Sequence, residues 1–140
     1  YNPEDFFERI KLKDGKLYLK RDSFYILSTR ESVLVPPFYA CEMVPVDERS
    51  GEFRSHYAGF IDPGWGSSSS GAKEGEIGTG RTLTLEVRPF EDILVRAGQP
   101  ITKIKYERMY YWPEVTYEDI GTSHYTKQNG PCLSKHFKQE

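Results

Sequence analysis

Leu83-Thr84-Leu85-Glu86-Val87 sets apolar and polar residues in strict alternation. A period of two puts Leu83, Leu85 and Val87 on one face of an extended strand and Thr84 and Glu86 on the other. The segment therefore defines a core face and presents an acid on the opposite one. That second face either meets water or lines a pocket, and the residues alone leave both readings open. In a pocket, burial disfavours a charged carboxylate and raises its pKa toward the range useful for proton transfer.

Outward from this strand the chain reads as a series of short extended segments. Leu17 and Leu19 alternate with Tyr18 and Lys20 after the turn Lys13-Asp14-Gly15-Lys16. Phe24 to Ser28, Ser32 to Val35, Tyr39 to Val44, Tyr57 to Ile61, Ile93 to Val95 and Ile101 to Tyr106 are further strand candidates. Pro36, Pro37 and Pro45 interrupt them, which places strand ends or edges there because proline donates no ladder hydrogen bond. Near the start, Asn2-Pro3-Glu4-Asp5 has the cap, the first-turn proline and the acids of a helix N-terminus. Phe6, Phe7 and Ile10 would give that short helix an apolar side. Ten tyrosines and eight phenylalanines suit pleated surfaces. The fold class expected is mainly β, a barrel or sandwich with a short N-terminal helix.

A length of 140 residues fits a single domain spanning 1–140. With 14% aromatic residues the chain is too rich in core material to be disordered. A net charge of -2, with both signs mixed, excludes nucleic-acid binding through a broad basic face. It leaves room for a small phosphorylated ligand, which two or three local basic groups can hold. No apolar run is long enough to predict a membrane span. Cys41 and Cys132 form no CxxC pair and read as reduced thiols of a cytoplasmic protein. The first residue is Tyr1, so the chain is expected to be a piece of a longer one. The Gly/Ser-rich residues 65–80 are expected to form a flexible loop, and the polar, aromatic residues 117–140 a tail that either covers a ligand or frays.

Several segments carry candidate chemistry. Arg49-Ser50-Gly51-Glu52-Phe53-Arg54 brings two guanidinium forks and a hydroxyl into a short span, and such forks match phosphate oxygens. The plainer reading is an ordinary solvated surface. Asp62-Pro63-Gly64 reads first as a tight turn. His56, His124 and His136 lack metal-ligand spacing. A zinc deaminase needs a His or Cys together with two closely spaced Cys, which this chain does not supply. Any deamination here is therefore expected to activate water without zinc. Neither a phosphate loop nor a dinucleotide-binding glycine pattern is present.

In order along the chain, Val35-Pro36-Pro37, Cys41-Glu42-Met43-Val44-Pro45, Gly51 to Trp65, Leu85-Glu86-Val87-Arg88, Ala97-Gly98-Gln99, Tyr106-Glu107-Arg108-Met109 and Leu133 to Phe137 form a specific series. Taken together they resemble the dCTP deaminase family of the dUTPase-like superfamily, and are most similar to the C-terminal half of double-length bacterial members. The resemblance implies a dUTPase-like distorted β-barrel or jelly roll with active sites at subunit interfaces. The assembly implied is a homotrimer or a pseudo-symmetric one completed by the missing half. The activity implied is conversion of dCTP to dUTP and ammonia, with Mg2+ held mainly by the nucleotide triphosphate. It further assigns Glu86 as the acid that activates water, Arg54 as a neighbour of the water or base, and Ser50 as part of the phosphate or water network. Arg49 and Asp62 are implied in nucleotide binding, Asp62 at the deoxyribose. In the tail, Tyr117, His124, Tyr125 and Gln128 fall on the triphosphate-binding positions. Gly51 stands where the family has a second serine, His124 where it has a lysine, and an insertion comes after Trp65. Those departures keep a non-catalytic or regulatory half as one alternative. A dUTP pyrophosphatase, or a bifunctional deaminase and diphosphatase, is the other.

Overall fold

The computed structural model of the chain describes residues 1–46, 59–67, 78–120 and 130–138. Among them seven strands form: β1 (Lys16–Leu19), β2 (Tyr25–Ser28), β3 (Tyr39–Pro45), β4 (Phe60–Ile61), β5 (Thr84–Val87), β6 (Ile93–Arg96) and β7 (Thr102–Arg108). Two 3-10 turns, Pro3–Asp5 and Tyr117–Ile120, are the only helical elements among the described residues. The chain is mainly β, as its alternation requires.

Every pairing is antiparallel, and the partners are remote in sequence. β1 pairs with β6, β2 with β5, and β3 lies between β4 and β7. The β2–β5 pair is nested inside the β1–β6 pair along the chain, the folded-back arrangement of jelly-roll and barrel folds. One core serves all three sheets. Leu19 and Val95 enter it from the first, Leu85 and Val87 from the second, and Cys41, Met43 and Ile61 from the third. No one of these small sheets could bury its apolar face alone, so each is stable only against the others.

Three sequence expectations are modified. Ser32 to Val35 forms no strand; it contributes one bridge, Val33 to Arg81, with N–H···O bonds of 2.8 and 2.9 Å in the two directions. Pro36 and Pro37 come next and have no N–H with which to continue a ladder. The N-terminal helix is a single 3-10 turn in which the Asn2 side chain makes no capping bond. Its neighbours Phe6 and Phe7 instead pack edge-on against Phe137, with ring centroids 5.6 and 5.4 Å away. Pro45 does end a strand, but that strand, β3, is the central one of its sheet rather than an edge. No helix among the described residues is long and apolar enough to cross a membrane.

Cys41 and Cys132 are both free thiols, the first buried and the second partly so. Burial pushes the Cys41 thiol up to about 11. The thiolate is the nucleophile, so at pH 8 only about one Cys41 in a thousand is reactive. Alkylation of the native protein at pH 8, with mass mapping, is expected to label Cys132 first and Cys41 only after denaturation. Equal labelling rates would contradict the packing of β3 against β4 and β7.

Candidate functional site

The β2–β5 register sets the site. Tyr25 faces Val87 and Leu27 faces Leu85 on the core side, while Ile26 faces Glu86 and Ser28 faces Thr84 on the other. Leu85 and Val87 are almost fully buried, and Glu86 is exposed between them. It is nevertheless part of a cavity lining. Glu86 lines a cavity of about 510 Å³, a volume suited to a small-molecule ligand, together with Asp62 and Tyr117. The two readings of the polar face therefore meet: Glu86 is solvent-accessible in the single chain and stands in a pocket wall.

Asp62 reaches this cavity from a turn. The Trp65 N–H donates to the Asp62 carbonyl at 3.2 Å, with Pro63 second and Gly64 third at φ +86°. That is the geometry of a type II turn, which needs a glycine in the third place. A Cβ on Gly64 would also fall 2.6 Å from Thr116 Cβ. The Tyr117 N–H donates to the Pro63 carbonyl at 2.8 Å, and the Tyr117 ring lies 4.8 Å from Trp65. Thr116 closes its own turn, its N–H and hydroxyl donating to Asp119 Oδ2 at 3.0 and 2.7 Å. The loop bearing Asp62 and the turn bearing Tyr117 are thus packed as one unit. Trp65 at their junction is buried, and its indole Nε1 has no hydrogen-bond partner among the described residues.

An ion pair that sequence reading did not single out lies behind this unit. Arg81 donates from Nε to Glu118 Oε1 at 2.7 Å and from a terminal nitrogen to Oε2 at 2.8 Å. The Gly66 N–H adds a third bond to Oε1 at 3.1 Å. The Glu118 side chain is 9% exposed, and its hydrogen bonding holds the Arg81 guanidinium still more firmly protonated. In sequence Glu118 is one acid in a polar tail and Arg81 one base beside a glycine-rich loop. No local spacing links them.

A further part of the lining comes from the two ends of the described chain. The Gly130 and Cys132 N–H groups donate to the hydroxyls of Thr82 and Thr84, each at 3.2 Å. That two-residue step lays an extended segment along β5 and brings Leu133, Ser134 and Phe137 into the cavity lining beside Phe7. The backbone of Tyr1 fastens the same segment: its nitrogen donates to the His136 carbonyl at 2.7 Å, and Lys138 N–H donates to the Tyr1 carbonyl at 2.8 Å. Apolar walls with two carboxylates and several hydroxyls suit a flat polar ring that carries hydrogen-bonding edges. Of the residues expected at the site, Glu86, Asp62 and Tyr117 converge on this cavity. Arg49, Ser50, Arg54, His124, Tyr125 and Gln128 lie outside the described residues. Among the described residues no group of three His, Cys, Asp or Glu side chains could hold a metal ion.

Residues 1–137 match the model of the family described as 2'-deoxycytidine 5'-triphosphate deaminase, C-terminal domain. The chain belongs to this family. It is 28% identical over 142 aligned positions to a "dCTP deaminase, dUMP-forming" of Dictyoglomus turgidum, covering 96% of this chain and 64% of that protein. It is also similar to the crystal structure of a 2'-deoxycytidine 5'-triphosphate deaminase from Agrobacterium tumefaciens, with 42% identity and a TM-score of 0.69. That match covers 81% of this chain and 32% of the Agrobacterium chain. The chain therefore spans less than two thirds of the first relative and about a third of the second. The dUTPase-like fold expected from sequence is the fold of this family member.

Gly66, one of the donors to Glu118, tests how tightly the loop is built. It sits at φ +67°, and a Cβ there would lie 2.6 Å from Gly80 Cα and 2.8 Å from the Arg81 nitrogen. Both are backbone atoms with no rotamer by which to escape. Gly66→Ala is expected to lower stability by more than about 1 kcal/mol, read as a fall in the urea midpoint at unchanged slope. An unshifted midpoint would contradict this loop geometry.

Proposed function

We propose that the chain takes part in hydrolytic deamination of dCTP to dUTP and ammonia, with Glu86 activating the attacking water. The observation that carries this reading is the convergence of Glu86, Asp62 and Tyr117 on one cavity in a member of the dCTP deaminase family. In the proposed step Glu86 accepts a proton from water and the resulting hydroxide adds to C4 of the cytosine. Protonated Glu86 then returns that proton to N3, and as the C4 carbonyl forms the proton of the added hydroxyl passes to the amine, which leaves as ammonia. Water supplies the oxygen, and no oxidant or reductant is needed.

Asp62 is proposed to hold the deoxyribose hydroxyl and Tyr117 to bear on the phosphate side, joined by Arg49, His124, Tyr125 and Gln128. Arg54 and Ser50 are proposed to hold the water and the charge that develops on the base, since preorganised donors are worth most where charge appears in the transition state. Magnesium is proposed to arrive on the triphosphate. No step here runs through it. An assembly of three dUTPase-like domains is proposed to complete the site, which accords with the exposure of Glu86 in the single chain.

The test is to incubate the protein with dCTP, dCMP and dUTP and to read ammonia and pyrophosphate separately. Ammonia from dCTP supports deamination. Pyrophosphate in addition marks a bifunctional enzyme, pyrophosphate from dUTP alone a pyrophosphatase, and neither product a non-catalytic domain. Glu86→Gln is expected to keep nucleotide binding while ammonia release falls by about 10²-fold or more. Robust deamination by that variant would remove Glu86 from the mechanism.

A further inference from the structure

We infer that Glu118, through its fork with Arg81, is a positioning residue that holds the nucleotide-binding side of the cavity in place. This rests on the reading of the cavity as a nucleotide site and extends it to a residue that touches no ligand. One carboxylate connects the three pieces of chain that carry the described site residues. Glu118 itself stands next to Tyr117 in the second 3-10 turn. Its Oε1 accepts from Gly66 N–H, in the loop that continues from Asp62 through Trp65. Both of its oxygens accept from Arg81, five positions before Glu86 in the run that enters β5.

The three attachments are not equally dependent on it. Arg81 has its own backbone bridge to Val33, and β5 has its full ladder to β2, so Glu86 stays in place without the ion pair. The Asp62 loop and the Tyr117 turn have no strand ladder of this length. What holds them includes loop hydrogen bonds, the Thr116–Asp119 side-chain bonds, the Trp65–Tyr117 ring contact and this carboxylate. Geometry also favours a specific role over general surface charge. The pair is bidentate and part-buried, and the fork lets a guanidinium fix orientation as well as charge. Replacing either partner leaves the other without its match at a position only partly open to water.

The inference separates binding from chemistry, and steady-state kinetics of dCTP deamination by the full chain can read that separation. Glu118→Gln keeps the shape but turns one acceptor into a donor facing Arg81. It is expected to raise KM for dCTP about tenfold, the scale of a lost charged hydrogen bond, with kcat within about twofold of the parent. Hydrogen exchange should quicken in residues 64–67 and 116–120 and stay unchanged in β2 and β5. Arg81→Lys keeps the charge and loses the fork, so it should show the same split in milder form, and it decides the matter if Glu118→Gln does not fold. An unchanged KM, or a fall in kcat as large as the rise in KM, overturns the positioning role. A parent protein that neither binds nor deaminates dCTP overturns the proposed function instead, so the two failures are told apart.

Discussion

The antiparallel register between β2 and β5 is the constraint on which the site depends. Because side chains alternate, this one pairing sends Leu27, Leu85 and Val87 inward and Ile26, Thr84 and Glu86 toward the cavity. A slip of one residue would carry every side chain to the wrong face, burying an unpaired carboxylate and exposing two core residues. Both penalties act in the same direction, so the core that stabilises the fold also fixes where the acid points. The outer hydroxyls gain a task from the same register: Thr84, beside Glu86 on that face, receives the Cys132 N–H and so places the C-terminal segment.

The sequence was most legible where a local period matched a local structure. Alternation predicted β5, β1 and β7 closely, since a half-buried strand needs nothing more than its own pattern to be recognised. Pro45 was legible for the same local reason, as a strand end, whereas the place of β3 at the middle of its sheet depends on partners remote in the chain. The Ser32 to Val35 segment and the N-terminal helix were over-read because propensity carries no information about a segment's neighbours. Two prolines stop one, and the aromatic residues of the other find better packing against Phe137 than along a helix of their own. Asp62, Glu86 and Tyr117 were named through an ordered set of motifs. Glu118 was not, because its partners at Gly66 and Arg81 meet it only in three dimensions.

The cavity is assembled from pieces with different grades of support. Its floor is β5, held by a ladder and a core. One rim is a turn and a loop that a part-buried carboxylate ties together; the other is an extended segment whose attachments include two threonine hydroxyls, a backbone exchange with Tyr1 and an aromatic cluster. Regions with few buried contacts and short hydrogen-bonded runs open at lower free energy than core strands. On the proposed reading, the acid stands on a regularly paired strand, and the rims past which a ligand would enter and leave are shorter hydrogen-bonded runs.

The exposure of Glu86 runs against the chemistry proposed for it. Proton transfer by a carboxylate benefits from a site that excludes water, because fixed dipoles then act in a medium of low polarisability. In the single chain the cavity is open enough that Glu86 and Asp62 both remain accessible, and Phe60 on the same lining is 80% exposed. On the proposed reading, then, the fold supplies the position of the acid, and the dryness its chemistry requires comes with the nucleotide and the assembly proposed to complete the site.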